Sequence, residues 1–167
     1  TTLILEDDAD WDIEIKKQTS LLAPAIRKLT NVTDQPGITG NDTITDDDDT
    51  PYGTDWDVLW LGHCGNNVWE NMPYVLYPDT TIPPIITSFE EKVQATADTK
   101  QRYAYLSDGP ICSWAYAVNR HSARKMLDMP SHGTYMAYDV WLGAQCKDGK
   151  LKCVAVNPEL FHTHDPP

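Results

Sequence analysis

Apolar positions along the chain fall into short runs separated by long polar stretches, and each run carries the period of one element. Leu3-Ile4-Leu5 is continuous and reads as a buried strand. From 11 to 29, Trp11, Ile15, Leu22, Ile26 and Leu29 recur at helical spacing. Pro24 interrupts that pattern, predicting either a kink or a helix that ends near Leu22 with a new turn starting at Pro24. Residues 30–55 lose all periodicity, are rich in Thr, Asp, Asn, Gly and Pro, and predict a long polar acidic loop within the domain. Its run Asp46-Asp47-Asp48-Asp49 has no apolar neighbours and reads as solvated surface rather than as a metal site. Trp56 to Gly62 predicts a second strand, ending in the turn Gly62-His63-Cys64-Gly65, where backbone can approach a ligand. Between Pro73 and Pro84 the prolines leave room for a short strand, Tyr74 to Tyr77, suited to an edge or a lid. Ile111 to Val118 reads as strand, and Asn119 caps a helix carrying Ser122 to Leu127 that Met129-Pro130 closes. Tyr138 to Gln145 predicts another short helix and Leu151 to Val156 a final strand. The mixture predicts an α/β class and a single domain over 1–167.

Composition narrows the function. A formal net charge of −12 argues against nucleic acid as a partner, because such binding rests on Lys and Arg meeting phosphates. No apolar run approaches the roughly 20 residues that cross a bilayer, so no transmembrane segment is expected. With no initiator Met, no charged leader and a strand almost at once, the chain reads as a fragment lacking its amino-terminal part. Cys64, Cys112, Cys146 and Cys153 allow three pairings, and the Asp148-Gly149 turn favours a bond between Cys146 and Cys153 over free buried thiols. Two sequons, at Asn31 and Asn41, point with that bond to the secretory pathway, Golgi or ER lumen, with the cytoplasm as the alternative.

The densest chemistry lies at the front. Glu6, Asp7, Asp8, Asp10 and Asp12 place five carboxylates within seven residues at the end of a strand. Carboxylates this close repel unless they are protonated, solvated or gathered around a cation, and hard oxygen donors suit Mg²⁺, Ca²⁺ or Mn²⁺. An acid-rich first helical turn is the plain alternative. Asp8, Asp10 and Asp12 imitate a calcium-binding EF-hand, but Ile13 stands where that loop needs glycine and Thr19 where it needs glutamate, so this reading fails. His63 and Cys64 point apart as neighbours on an extended chain, which favours a substrate-contacting turn or a disulfide over a nucleophile pair. Trp114 and Tyr116 share a strand face, as a stacking wall for a sugar or, more simply, as core.

The ordered blocks LILEDDADWD, WDVLWLGHCG, CSWAYAVNRHSARKML, YDVWL and VNPELFHTHD span nearly the whole chain outside its loops, and together they resemble glycosyltransferase family 25, with the closest likeness to fungal members. The resemblance implies a GT-A type fold, incomplete here at its amino end, and transfer of a sugar from a UDP-sugar donor with inversion. Galactose is the sugar it suggests, and a hydroxyl of a glycan or glycoprotein the acceptor. It further implies that Mn²⁺, or Mg²⁺, is held by Glu6, Asp8 and Asp10 against the donor diphosphate, with Asp7 as a weaker contact. Asp139, in the YDVWL block, takes the place of the catalytic base, a helix cap being its simpler role. His162 and His164 alternate near the end, and His164 is the histidine expected to complete the metal shell. Two rivals stand beside this reading: a non-catalytic carbohydrate-binding domain of the same fold, and a glycoside hydrolase working with two carboxylates and no metal.

Overall fold

Side chains on the central strands alternate between two separate cores, and that alternation sets the layering. The computed structural model describes residues 1–31, 50–65, 72–82, 99–129 and 136–163. In strand β3 (Val58–Gly62), Leu59 and Leu61 enter one core while Val58 and Trp60 enter the other. The pattern repeats in β5 (Gln101–Ser107), β6 (Ala115–Val118) and β7 (Cys153–Asn157), so a single sheet is buried on both faces. Helix α1 (Ile15–Asn31) covers the first face with Leu22, Ala25, Ile26 and Leu29. Helices α2 (Arg120–Asp128) and α3 (Tyr138–Lys147) cover the second, through Ala123 and Met126 of α2 and Trp141, Leu142 and Cys146 of α3. Leu22, Ile26 and Leu142 are fully buried, each contributing roughly 1.5–3 kcal/mol of apolar transfer.

With β1 (Thr2–Leu5) and β4 (Tyr74–Pro78) at its edges, the six-stranded sheet has the order β1-β6-β3-β7-β5-β4. Only β3 and β7 are parallel; every other neighbouring pair is antiparallel. A two-stranded ribbon, β2 (Ala9–Trp11) with β8 (Phe161–Thr163), lies beyond the sheet. The protein is therefore a mixed α/β domain among its described residues.

Several expectations hold. Asn119 caps α2 through a reciprocal pair with Ser122, and the proline-flanked strand at Tyr74 sits at a sheet edge. Others change. The run Leu3-Ile4-Leu5 is a strand but not a buried one: it pairs only with β6, and these side chains stay 37–45% exposed. Residues 11–14 are not helical, because Trp11 joins the ribbon and packs on Phe161, and Asp12 Oδ1 accepts a bond from the Glu14 amide just ahead of α1. Pro24 sits on the exposed side of one continuous helix, with no break near Leu22. Residues 111–114 form a turn, so β6 starts only at Ala115. The polar stretch 32–49, with its aspartate run and the Asn41 sequon, lies outside the described residues.

Strand β5 has no counterpart in the expected elements. Its Arg102 is fully buried and donates from Nε to Asp79 Oδ2 at 2.6 Å. The same guanidinium donates to the carbonyls of Pro158 and Glu159, binding the β4–β5 edge to the turn after β7. Burial alone would raise the Asp79 pKa, but bonds from Thr81 and Arg102 outweigh it and hold the carboxyl below its ordinary value. Removing one partner of a buried pair strands the other charge, so Arg102→Met is expected to cost about 3–5 kcal/mol in urea unfolding; a loss below about 1 kcal/mol would contradict this role. Because the folded pKa of Asp79 is depressed, its stabilisation is complete above the unfolded value of 3.8 and is lost as pH falls through the folded one. Asp79→Asn should accordingly flatten the acid limb of stability.

Candidate functional site

Strands β1, β3 and β7 all run opposite to β6 or parallel to one another, so their carboxyl ends meet at one end of the sheet. The chain enters β6 at that same end through the turn 111–114, which several elements grip. Ser113 Oγ donates to Glu6 Oε1 at 2.6 Å, and the Glu6 amide donates to Trp114 O at 3.0 Å. The Cys112 amide donates to Asp139 Oδ2 at 2.9 Å, from the first turn of α3. Cys112 also forms a disulfide with Cys64, whose amide donates to Ile111 O. Just before the turn, Gly109 lies on α3 so closely that an added Cβ would sit 2.2 Å from Gly143 O, and its φ of +110° suits glycine. Cys112 itself has φ +64°, unusual for a side-chain-bearing residue, and the bond from Asp139 together with the disulfide holds it there.

Glu6 and Asp139, over 130 positions apart in the sequence, thus converge on adjacent residues of one turn. Asp139 is not the cap of its own helix: that position is Ala137, which makes no side-chain cap bond. The remaining acids fan out from Glu6 along the ribbon. Asp8 Oδ2 accepts from Thr163 Oγ1 at 3.2 Å, Asp10 stands opposite His162 in the β2–β8 register, and Asp7 is exposed. His164 lies outside the described residues. Among the described residues, no three His, Cys, Asp or Glu side chains gather closely enough to hold a metal as they stand. The donor types, carboxylates of Glu6 and Asp8 after β1 and of Asp10 on β2 with an imidazole opposite Asp10, are nonetheless ones that Mn²⁺ accepts, the carboxylates suiting Mg²⁺ as well.

His63 is buried behind the turn, with Nε2 3.1 Å from Val156 O and no partner on Nδ1. Burial lowers its pKa, and the nearby Glu159 carboxylate and the Val156 carbonyl only partly offset that. It is a packed neutral imidazole, and with Cys64 in a disulfide the Cys-His nucleophile pair is ruled out. Tyr116 is core, in tilted ring contacts with Trp60 and Tyr138, so it forms no open sugar wall with Trp114. The sequence reading missed Ser113, the side chain that ties Glu6 to the turn, and a lone serine in an apolar block carries no signal for that role.

The chain matches no protein-family model, no curated protein and no solved structure.

The two disulfides differ in access. Cys146 and Cys153 are buried, as the Asp148-Gly149 turn between them led one to expect, whereas Cys64 is exposed and Cys112 partly so. Thiol exchange needs access to a sulfur, so limiting dithiothreitol followed by alkylation should label Cys64 and Cys112 well before Cys146 and Cys153. Equal or reversed labelling in peptide mapping would contradict the placement of the turn at the surface.

Proposed function

We propose that this chain is a metal-dependent inverting glycosyltransferase of GT-A type, or the catalytic part of one, moving a sugar from a UDP-sugar to a hydroxyl of a glycan or protein. The observation that carries the reading is the convergence of Glu6, first of the acidic segment after β1, and Asp139, on a covering helix, upon residues 112–113. A metal-dependent inverting transfer needs both functions at one place: carboxylates that hold a cation against the leaving diphosphate, and a base that takes the acceptor proton. Glu6, Asp8 and Asp10 would hold the cation, with His162 or His164 beside them. When bound, it would neutralise charge on the departing UDP. Asp139 would orient the acceptor hydroxyl and take its proton, its carboxylate fixed in rotation by the Cys112 amide. The net charge of −12 fits this division, since an anionic donor needs a cation to approach such a surface. The two disulfides support an oxidising compartment, in keeping with a secretory location. Family membership and galactose as the sugar rest on the resemblance of the sequence blocks.

A second reading has its own observation. Glu6 and Asp139 each use an oxygen to hold the turn, a structural task that a non-catalytic carbohydrate-binding domain would also need.

Two measurements separate these readings. Mn²⁺ with UDP should raise the melting temperature, and Asp8→Asn should abolish the rise, because a ligand bound only by the folded state stabilises it. An unchanged melting curve sinks the metal assignment. With UDP release from UDP-galactose as the assay, Asp139→Asn should lower turnover by about two orders of magnitude while leaving the UDP–Mn²⁺ shift intact. Near-normal turnover would reduce Asp139 to a clamp for the turn.

A further inference from the structure

Beside Asp139, four aromatic rings form a continuous ladder from the core to the surface. Trp60 packs on Tyr116 at 6.2 Å between centroids, Tyr116 on Tyr138 at 6.0 Å, and Tyr138 on Trp141 at 5.9 Å with an interplanar angle of 30°. Trp60 is fully buried, whereas Tyr138 is 47% exposed. A half-exposed tyrosine ordinarily buries its ring and turns its hydroxyl to water. Tyr138 is arranged differently: its hydroxyl pairs with the Tyr116 hydroxyl at 2.8 Å. Burial and that neighbour together raise the Tyr138 pKa, in keeping with a hydroxyl turned away from solvent. Much of what Tyr138 offers to water is therefore aromatic carbon. Ile111, one residue before the amide held by Asp139, is 53% exposed and adds apolar surface at the same turn. The ring is fixed by its hydroxyl bond and by stacking on Trp141, so a flat partner would meet it at little entropic cost.

We propose that Tyr138, supported by Trp141 and Tyr116, is a stacking platform for a sugar ring of the acceptor, holding the glycan beside Asp139. A sugar ring offers what such a platform needs, an apolar C–H face to lie on the aromatic ring, and Asp139 follows Tyr138 in the first turn of α3. This assignment rests on the glycosyl-transfer reading for the word acceptor, but the binding itself requires neither donor nor metal.

Saturation-transfer difference NMR without UDP or metal tests it, using lactose, N-acetyllactosamine, mannotriose and cellotriose as probes. At least one probe should receive saturation on ring C–H protons when the aromatic protons are irradiated. Tyr138→Ala should weaken that probe about tenfold, the scale of one aromatic contact. Tyr138→Phe, which keeps the ring and loses only the hydroxyl bond, should stay within about twofold of wild type. Circular dichroism of each variant guards against misfolding; if the alanine variant fails to fold, Tyr138→Leu, which keeps apolar bulk beside Trp141 but removes the flat ring, should show the same weakening, and wild-type binding by a folded Tyr138→Leu overturns the platform. Absence of saturation transfer from all four probes, or unchanged binding by a folded Tyr138→Ala, overturns the platform. So does a shift of Tyr138→Ala from dimer to monomer in sedimentation, which would mean a second copy covers the ring. Sugar binding through Tyr138 in a protein with no Mn²⁺ response and no UDP release would keep the platform and discard the transferase. Turnover that is indifferent to Tyr138→Ala would do the reverse.

Discussion

The candidate site depends on one turn being held still, and the hold is a hydrogen bond from the Cys112 amide to the Asp139 carboxylate. A charged acceptor on a backbone donor is among the stronger neutral-to-ion contacts a protein makes, and here it is partly shielded from water. Together with the Cys64–Cys112 disulfide it holds a residue at positive φ, and it ties the first turn of α3 to the end of the sheet. Ser113 then meets Glu6, and the acidic segment after β1 is held against the same turn. Without that anchor, the acids at the amino end and the aspartate of α3 would belong to different surfaces.

The sheet beneath explains why the anchor works. Inserting β6 between β1 and β3 brings the carboxyl ends of two strands to the amino end of a third, so chain entering and leaving the sheet is concentrated at one end. Gly62 lets the β8 segment pass directly over β3, since a Cβ there would lie 2.7 Å from Phe161 O. The buried Arg102–Asp79 pair secures the same end from the opposite edge by holding the turn at Pro158 and Glu159. Both faces are closed by helices, which leaves this end as the place where polar side chains of several elements can meet.

Much of the fold was legible because local signals agreed with tertiary ones. Asn119 capped where a cap was expected, and Asp148-Gly149 turned the chain, with Gly149 at φ +67°, to bring Cys146 to Cys153. The failures share a cause: long-range pairing that leaves no trace in a local window. Trp11 has helical spacing with Ile15, yet it follows Phe161 into a ribbon. Leu3 to Leu5 look like core because a continuous apolar run signals burial on both faces, but their place at the edge depends on what lies alongside. Cys64 and Cys112 are 48 residues apart, and nothing in their spacing announces a bond. At the site, the roles of Glu6 and Asp139 as chemical candidates could be read from residue type and block order, whereas their shared turn could not, because Ser113 and the Cys112 amide enter only through the fold.

Amide hydrogen exchange at Cys112 measures the central interaction directly. The account predicts slow exchange in the native protein and exchange at least about tenfold faster in Asp139→Ala, the factor expected for losing a bond worth roughly 1.5–3 kcal/mol. The amides of core strand β7, far from the turn in hydrogen bonding, should stay protected in both proteins. Unchanged protection of Cys112 in the variant, with β7 equally intact, would show that the turn holds without Asp139 and would contradict the account.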